Sequence, residues 1–176
     1  MSKQSHPNAS ARQIRPVTSA DLEAVVSLSL LAWEPVFDSF EAILGTPTFE
    51  QIYRPDPRTV QAASVKDTCL ADDVDAFVVV TSDGVVAGFI ALRLHADTAT
   101  GEIEMIAVHP QHQRRGHARA LMEFAIRRFR DQGVPLINVG TGGDPGHAPA
   151  RALYEALGFT GLPLVSYYMA VDTSLG

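Results

Sequence analysis

Cysteine is all but missing from this chain. Cys69 stands alone among 176 residues, so no disulfide can form within it, and a reducing compartment is expected. Long hydrophobic runs are missing as well: no stretch approaches the roughly 18 consecutive apolar residues of a membrane span, and no apolar segment of the secretory kind follows Lys3. A soluble, cytoplasmic protein with no membrane partner is the expectation. Positive charge is in deficit, with 14 Lys and Arg against 20 Asp and Glu and a net charge of −6. That balance argues against nucleic-acid binding, even through the arginines of residues 112–130, and is compatible with a cationic partner. His6 and His112 lack ligand-spaced neighbours, so no metal site is expected. No Ser/His/Asp order and no cysteine–histidine pairing is evident, which argues against a covalent enzyme intermediate.

What is present reads as one ordinary globular domain, 46% hydrophobic and 19% charged, with enough material for a sizeable core. Residues 1–11 are polar and aperiodic and are expected to be a loose tail, leaving residues 12–176 as the domain. No internal repeat or linker divides them. Gln13 to Val17 reads as a first strand. Thr18 with Asp21 resembles a capping box ahead of a helix from about Ser19 to Leu31, after which Trp33-Glu34-Pro35 interrupts, and Asp38 to Leu44 can form a second short helix. Asp56-Pro57 marks a further start, with an N-cap and a proline at the first helical position, running to about Asp67. The aromatics Trp33, Phe37, Phe40, Phe49 and Tyr53 read as core or as a pocket wall, with Trp33, Glu34 and Phe37 the candidate pocket residues.

Ala76–Thr81 and Val85–Leu94 flank Ser82-Asp83-Gly84, where Asp-Gly predicts a type I′ hairpin, and Gly88 marks a bulge or a close approach. Residues 102–108 continue the meander: Ile103, Met105 and Ala107 alternate with Glu102, Glu104, Ile106 and Val108. Beyond Pro110, Ala118, Leu121, Met122, Ala125, Ile126 and Phe129 form one helical stripe, and Gly133 is placed to end it. Val134–Val139 reads as a buried strand. Gly140–Gly146 lacks the lysine and spacing of a phosphate loop and reads as a plain turn. A helix over Ala148–Leu157, ended by Gly158, and a last strand over Leu164–Val171 complete the chain.

The join between residue 108 and the stripe carries the chemistry. Gln113, Arg114, Arg115, Gly116 and His117 put two cations and a residue without a Cβ where a helix presents unpaired N–H groups, a natural seat for a phosphate or diphosphate. The bland alternative is a solvated turn. The spacing Gln113-x-x-Gly116-x-Ala118, directly after Ile106-Ala107-Val108, resembles the coenzyme A diphosphate loop of the GNAT superfamily of N-acetyltransferases. A second stretch, His147-x-x-Ala150-x-x-Leu153-Tyr154-x-x-x-Gly158-Phe159, resembles the superfamily's other signature, with His147 where asparagine is usual. The order of elements over residues 13–172 agrees, and 31–75 departs most.

The resemblance implies an α/β fold, a single GNAT-like domain whose central mixed, mostly antiparallel sheet is flanked by helices. It implies acetyl-CoA as co-substrate, no metal, an amine acceptor on a small molecule or a protein, and a homodimer as an open option. Main-chain groups around Ile106, Ala107 and Val108 would hold the pantetheine arm. The loop Gln113, Arg114, Arg115, Gly116, His117 and Ala118 would hold the diphosphate, with His147, Ala150 and Tyr154 also beside the cofactor. Tyr154 takes the role of general acid toward the departing thiolate. An alkylamine with a pKa near 10.4 arrives protonated, so a base is needed. Glu102 and Glu104 share a strand face and either could serve, or both are rim carboxylates. A non-catalytic acyl-CoA-binding module is the alternative reading.

Overall fold

The computed structural model describes residues 12–171; the tail expected over residues 1–11 lies outside them. Five strands form one sheet in the order β1-β2-β3-β4-β5: β1 Gln13–Pro16, β2 Val74–Val80, β3 Val86–His95, β4 Thr100–Val108 and β5 Leu136–Val139. The first four pair antiparallel and β5 runs parallel to β4. Helices α1 (Leu22–Leu44), α2 (Thr46–Ile52), α3 (Pro57–Leu70), α4 (His117–Asp131) and α5 (Ala148–Ala156) fill the connections.

Strand alternation sorts the core into two layers. Phe77, Val79, Ile90, Leu92 and Ile103 point toward α4 and α5, where Leu121, Met122, Ala125 and Phe129 pack on them. Val78, Val80, Phe89, Ala91 and Ala107 point the other way, onto Val25 and Leu28 of α1 and Val65 of α3. Each large side chain so buried contributes about 1.5–3 kcal/mol. Close approach is built in at Gly101, where an added Cβ would stand 2.7 Å from the Phe129 ring.

Local signals account for most ends. Asp56 accepts the Thr59 N–H at 2.9 Å, with Pro57 opening α3. Ahead of α1, a single 3-10 turn over Ser19–Asp21 is tied by the Asp21 carboxylate, which accepts the Thr18 N–H at 2.8 Å and the Thr18 hydroxyl at 2.7 Å. Arg15 donates two bonds to the same carboxylate, at 2.7 and 2.8 Å. Gly133 and Gly158, at φ 73° and 91°, close α4 and α5 in the left-handed region. In each case the following residue donates back to the turn, Val134 to Phe129 and Phe159 to Tyr154, the double-bonded glycine cap that leaves an apolar pair in contact.

Five expectations are corrected. The strand expected to be buried over Val134–Val139 is shorter, Leu136–Val139, and alternates exposed and half-buried residues because it is the sheet edge. Pro35 does not divide the first helix; it sits inside α1. A proline there forgoes one backbone bond at about 3 kcal/mol, and burial of Val25 and Leu28 before it and of Val36 and Phe37 after it offsets that cost. The hairpin after β2 is not type I′: only Gly84 has positive φ, and the bonds Gly84 N–H to Thr81 O and Thr81 N–H to Val85 O close a three-residue loop with the glycine as bulge. Along β4, Ala91 pairs with Met105 but Leu92 with Ile103, so Glu104 is an extra, bulged residue. The bulge reverses the alternation and sends Met105 and Ala107 to the α1 layer while Ile103 and Ile106 face α4. Finally, Leu164–Val171 forms no strand: β5 is the edge of the sheet and this segment does not pair with it. Gly88 is where it was expected to matter, since a Cβ there would lie 2.7 Å from the Ala107 carbonyl oxygen.

Candidate active site

β4 pairs with β3 from end to end, but β5 meets it only over Thr100–Ile103. From the Glu104 bulge onward one edge of β4 is open. His109 N–H donates to Ala87 O on the β3 side, so by alternation the N–H and C=O groups of Ile106 and Val108 point into the opening and those of Ala107 toward β3. Gln113 reaches back across it, its Nε2 donating to Val108 O at 3.1 Å.

The open edge leads to the start of α4. Gly116 is the N-cap, at φ 78°, and Arg114 also takes a left-handed turn, at φ 61°. Arg12 donates through Nη1 to Gly116 O at 2.7 Å, so a third cation is brought to the helix start that Arg114 and Arg115 directly precede in the chain. His117 is buried and Ala118 half-buried. Burial lowers the His117 pKa, and Arg12, His112 and Arg115 lower it further; its Nδ1 has no partner. Three cations and orphan N–H donors make this end of the molecule an anion seat.

Glu102 and Glu104 share a face and both are engaged. Glu104 pairs with Arg93, which also holds Asp73, and Glu102 lies 2.6 Å from His95 Nε2. Tyr154 is buried in the α4 layer with Ile106 and Ala150 packed against the same cluster. Burial pushes its phenol up to about 12, so it stays protonated and able to donate across the physiological range. Its ring lies 6.1 Å from that of Phe159, so the glycine cap of α5 also positions this side chain. Cys69 is no nucleophile at neutral pH, because burial raises its thiol to about 11.

The segment following β5 turns out to be more than a plain turn. His147 Nδ1 lies 2.5 Å from Asp144 Oδ1, whose side chain is only 3% exposed. Burial pushes the Asp144 carboxyl up, but the His147 bond and charge, with Ser39, outweigh it and hold the pKa below its usual value. The loop docks on α1, where Phe40 and His147 have ring centroids 5.7 Å apart. Of the three candidate pocket residues, Trp33 packs in the α1–α3 layer, and Phe37 meets Tyr53 edge-on at 5.5 Å. Glu34 turns outward to Arg58. Arg12, Arg93, His95 and Asp144 went unnoticed in the sequence; only Asp144 carried a signal, the glycines on either side of it.

Among the described residues no group of three His, Cys, Asp or Glu is arranged to hold a metal ion, and no helix is long and apolar enough to cross a membrane. The Acetyltransferase (GNAT) family profile matches residues 37–159, well over half of the chain. A mycothiol acetyltransferase from Nocardiopsis dassonvillei is 38% identical over 49% of this chain, a match that takes in only 28% of that longer protein. The [ribosomal protein bS18]-alanine N-acetyltransferase of Escherichia coli K12 is 36% identical over 52% of this chain and 60% of its own length. The PaiA N-acetyltransferase of Thermoplasma acidophilum, solved with coenzyme A, shares the fold at a TM-score of 0.62 and 16% identity, over 85% of this chain and 90% of its own.

Proposed function

Because the chain belongs to the Acetyltransferase (GNAT) family, we propose that it is an N-acetyltransferase, passing the acetyl group of acetyl-CoA directly to a primary amine of a small molecule or a protein in the cytoplasm. The observation that carries this reading is the open edge of β4 running into the unpaired N-terminus of α4. Outward main-chain groups of Ile106 and Val108 suit an extended amide-bearing arm. The N–H groups beyond Gly116, with Gln113, Arg114, Arg115, His117 and Ala118 around them, suit a diphosphate. Ala150 leaves room beside Tyr154, whose phenol donates its proton to the departing thiolate. Trp33 and Phe37 border the acceptor side. Glu102 and Glu104 shape the rim.

The relatives' names include a ribosomal-protein alanine as acceptor, and the acceptor class here is tested by a panel: an alanine-initiated peptide, an aminosugar, an aminoglycoside and spermidine, with thiol release as readout. Tyr154→Phe should lower turnover by about 100-fold or more while coenzyme A affinity, measured by calorimetry, stays unchanged. Unaltered turnover, or no thiol release with any amine despite coenzyme A binding, would leave a binding module instead.

The partner chain in this reading is a second copy. Leu162, Leu164, Val165, Tyr167, Met169 and Val171 are exposed, as is Leu136 on β5, the unpaired edge of the sheet. Residues 159–171 and β5 carry no charge, and reciprocal addition of each segment to the other copy's β5 would close both edges in one symmetric dimer.

A further inference from the structure

Both carboxylates on the strand are already committed, Glu104 to Arg93 and Glu102 to His95. A different acceptor is built just past the end of β5. The register Glu102↔Asn138 and Ile103↔Val139 brings Gly140 level with Glu104, where the two strands part, and the loop from there holds Asp144 against His147. It is shaped around that pair. A Cβ at Gly142 would stand 2.2 Å from Asp144 Oδ1 and 2.7 Å from His147 Nδ1, and one at Gly146 would stand 2.6 Å from the Pro35 carbonyl oxygen. Arg151 donates to the carbonyls of Gly142 and Asp144. Asp144 Oδ2 is buried as well, 2.9 Å from where a Cβ at Gly146 would stand.

We propose that His147, held in one tautomer by Asp144, is the proton acceptor for the incoming amine; this rests on the transferase reading above. Asp144 accepts the Nδ1–H bond and leaves Nε2 bare. Nε2 takes one proton from the ammonium, and the neutral amine attacks the thioester carbonyl carbon. The new N–C bond forms, the C–S bond breaks with its electron pair leaving on sulfur, and Tyr154 protonates the thiolate. The second amine proton restores the phenol, and the imidazolium returns its proton to water. Asp144 is the positioning residue.

The charged or titratable groups around His147 include Asp144 on its loop, Arg151 from α5, and Tyr53 at the end of α2, which feels Tyr168 from the C-terminal segment as well as the Asp144 charge. From α1 come Phe40 and Ser39, with Asp38 in the cleft it shares with Gly146.

The test compares His147→Asn and Asp144→Asn on two kinds of acceptor at pH 7: the best alkylamine of the panel, which arrives as ammonium, and methoxyamine, which arrives neutral. His147→Asn should lower kcat/KM for the alkylamine about 100-fold, with less than about 3-fold loss for methoxyamine and partial rescue by added imidazole. Equal losses on both acceptors, or no loss, would overturn the proposal. A wild-type protein that binds coenzyme A but acetylates no amine would sink the transferase reading itself. Imidazole ¹⁵N spectra of the unmodified, coenzyme A-bound protein then decide the local claim, and serve equally if a variant fails to fold: Nδ1–H with bare Nε2 supports the dyad, and the reverse tautomer refutes it.

Discussion

Replacing Gly116 by alanine separates the anion seat from the stability of the fold. Its φ of 78° lies in the left-handed region, where a side chain costs about 1–2 kcal/mol. The new Cβ would meet only the end of the Arg12 side chain, at 3.3 Å, and a flexible guanidinium can give way. The stability loss is therefore about 1–2 kcal/mol, or roughly 2–8 °C in Tm for a chain of this size. Binding suffers for another reason: a methyl group at the N-cap keeps a diphosphate from the orphan N–H groups, and displacing Arg12 weakens a neighbouring cation. Helix N-terminus interactions of this kind are worth up to about 2 kcal/mol, so coenzyme A affinity should fall about 10- to 30-fold by calorimetry, 1.4 kcal/mol being about tenfold. S-acetylpantetheine, which has the arm but no diphosphate, should bind wild type and variant alike. Equal losses for both ligands, or an unchanged coenzyme A affinity, would refute the assignment of the seat.

Asp21 carries an acid-linked share of stability. Its carboxyl is held far below the usual carboxylate range by Arg15 and Thr18, so the contribution is complete above the unfolded pKa of about 3.9 and is lost as pH falls below it. Asp21→Asn should cost about 2–3 kcal/mol at pH 7, and denaturant titrations should find the gap to wild type closing below pH 4; a gap constant with pH would contradict this. Analytical ultracentrifugation should show the unmodified protein as a dimer and Leu136→Lys as a folded monomer, whereas a wild-type monomer at every concentration would end the strand-addition reading.

The stretches Gln113–Ala118 and α5 are legible in the amino-acid order because their signals are local. A glycine after a stripe, a proline behind an aspartate and apolar residues three and four apart act within one or two turns of chain, and each marks its element to within a few residues. Pro35 misleads because its local penalty is offset by burial on both sides of it, which no window of sequence reports. Asp144 and His147 are only three residues apart, yet their pairing depends on α1 covering the loop, so the glycines around them look like those of any turn.

The amino-acid order alone determined the family, the strand–turn–helix that forms the anion seat, and the two glycine caps that end α4 and α5, since these follow from periodicity and backbone conformation over a few neighbouring residues. Tertiary structure decided what those pieces meet. It brought Arg12 across 104 positions to Gly116, engaged both glutamates with Arg93 and His95, and reversed the faces of β4 through one bulged residue. It also left Leu164–Val171 outside the sheet. Such outcomes turn on register and packing between distant segments, where a shift of one residue exchanges one face of a strand for the other.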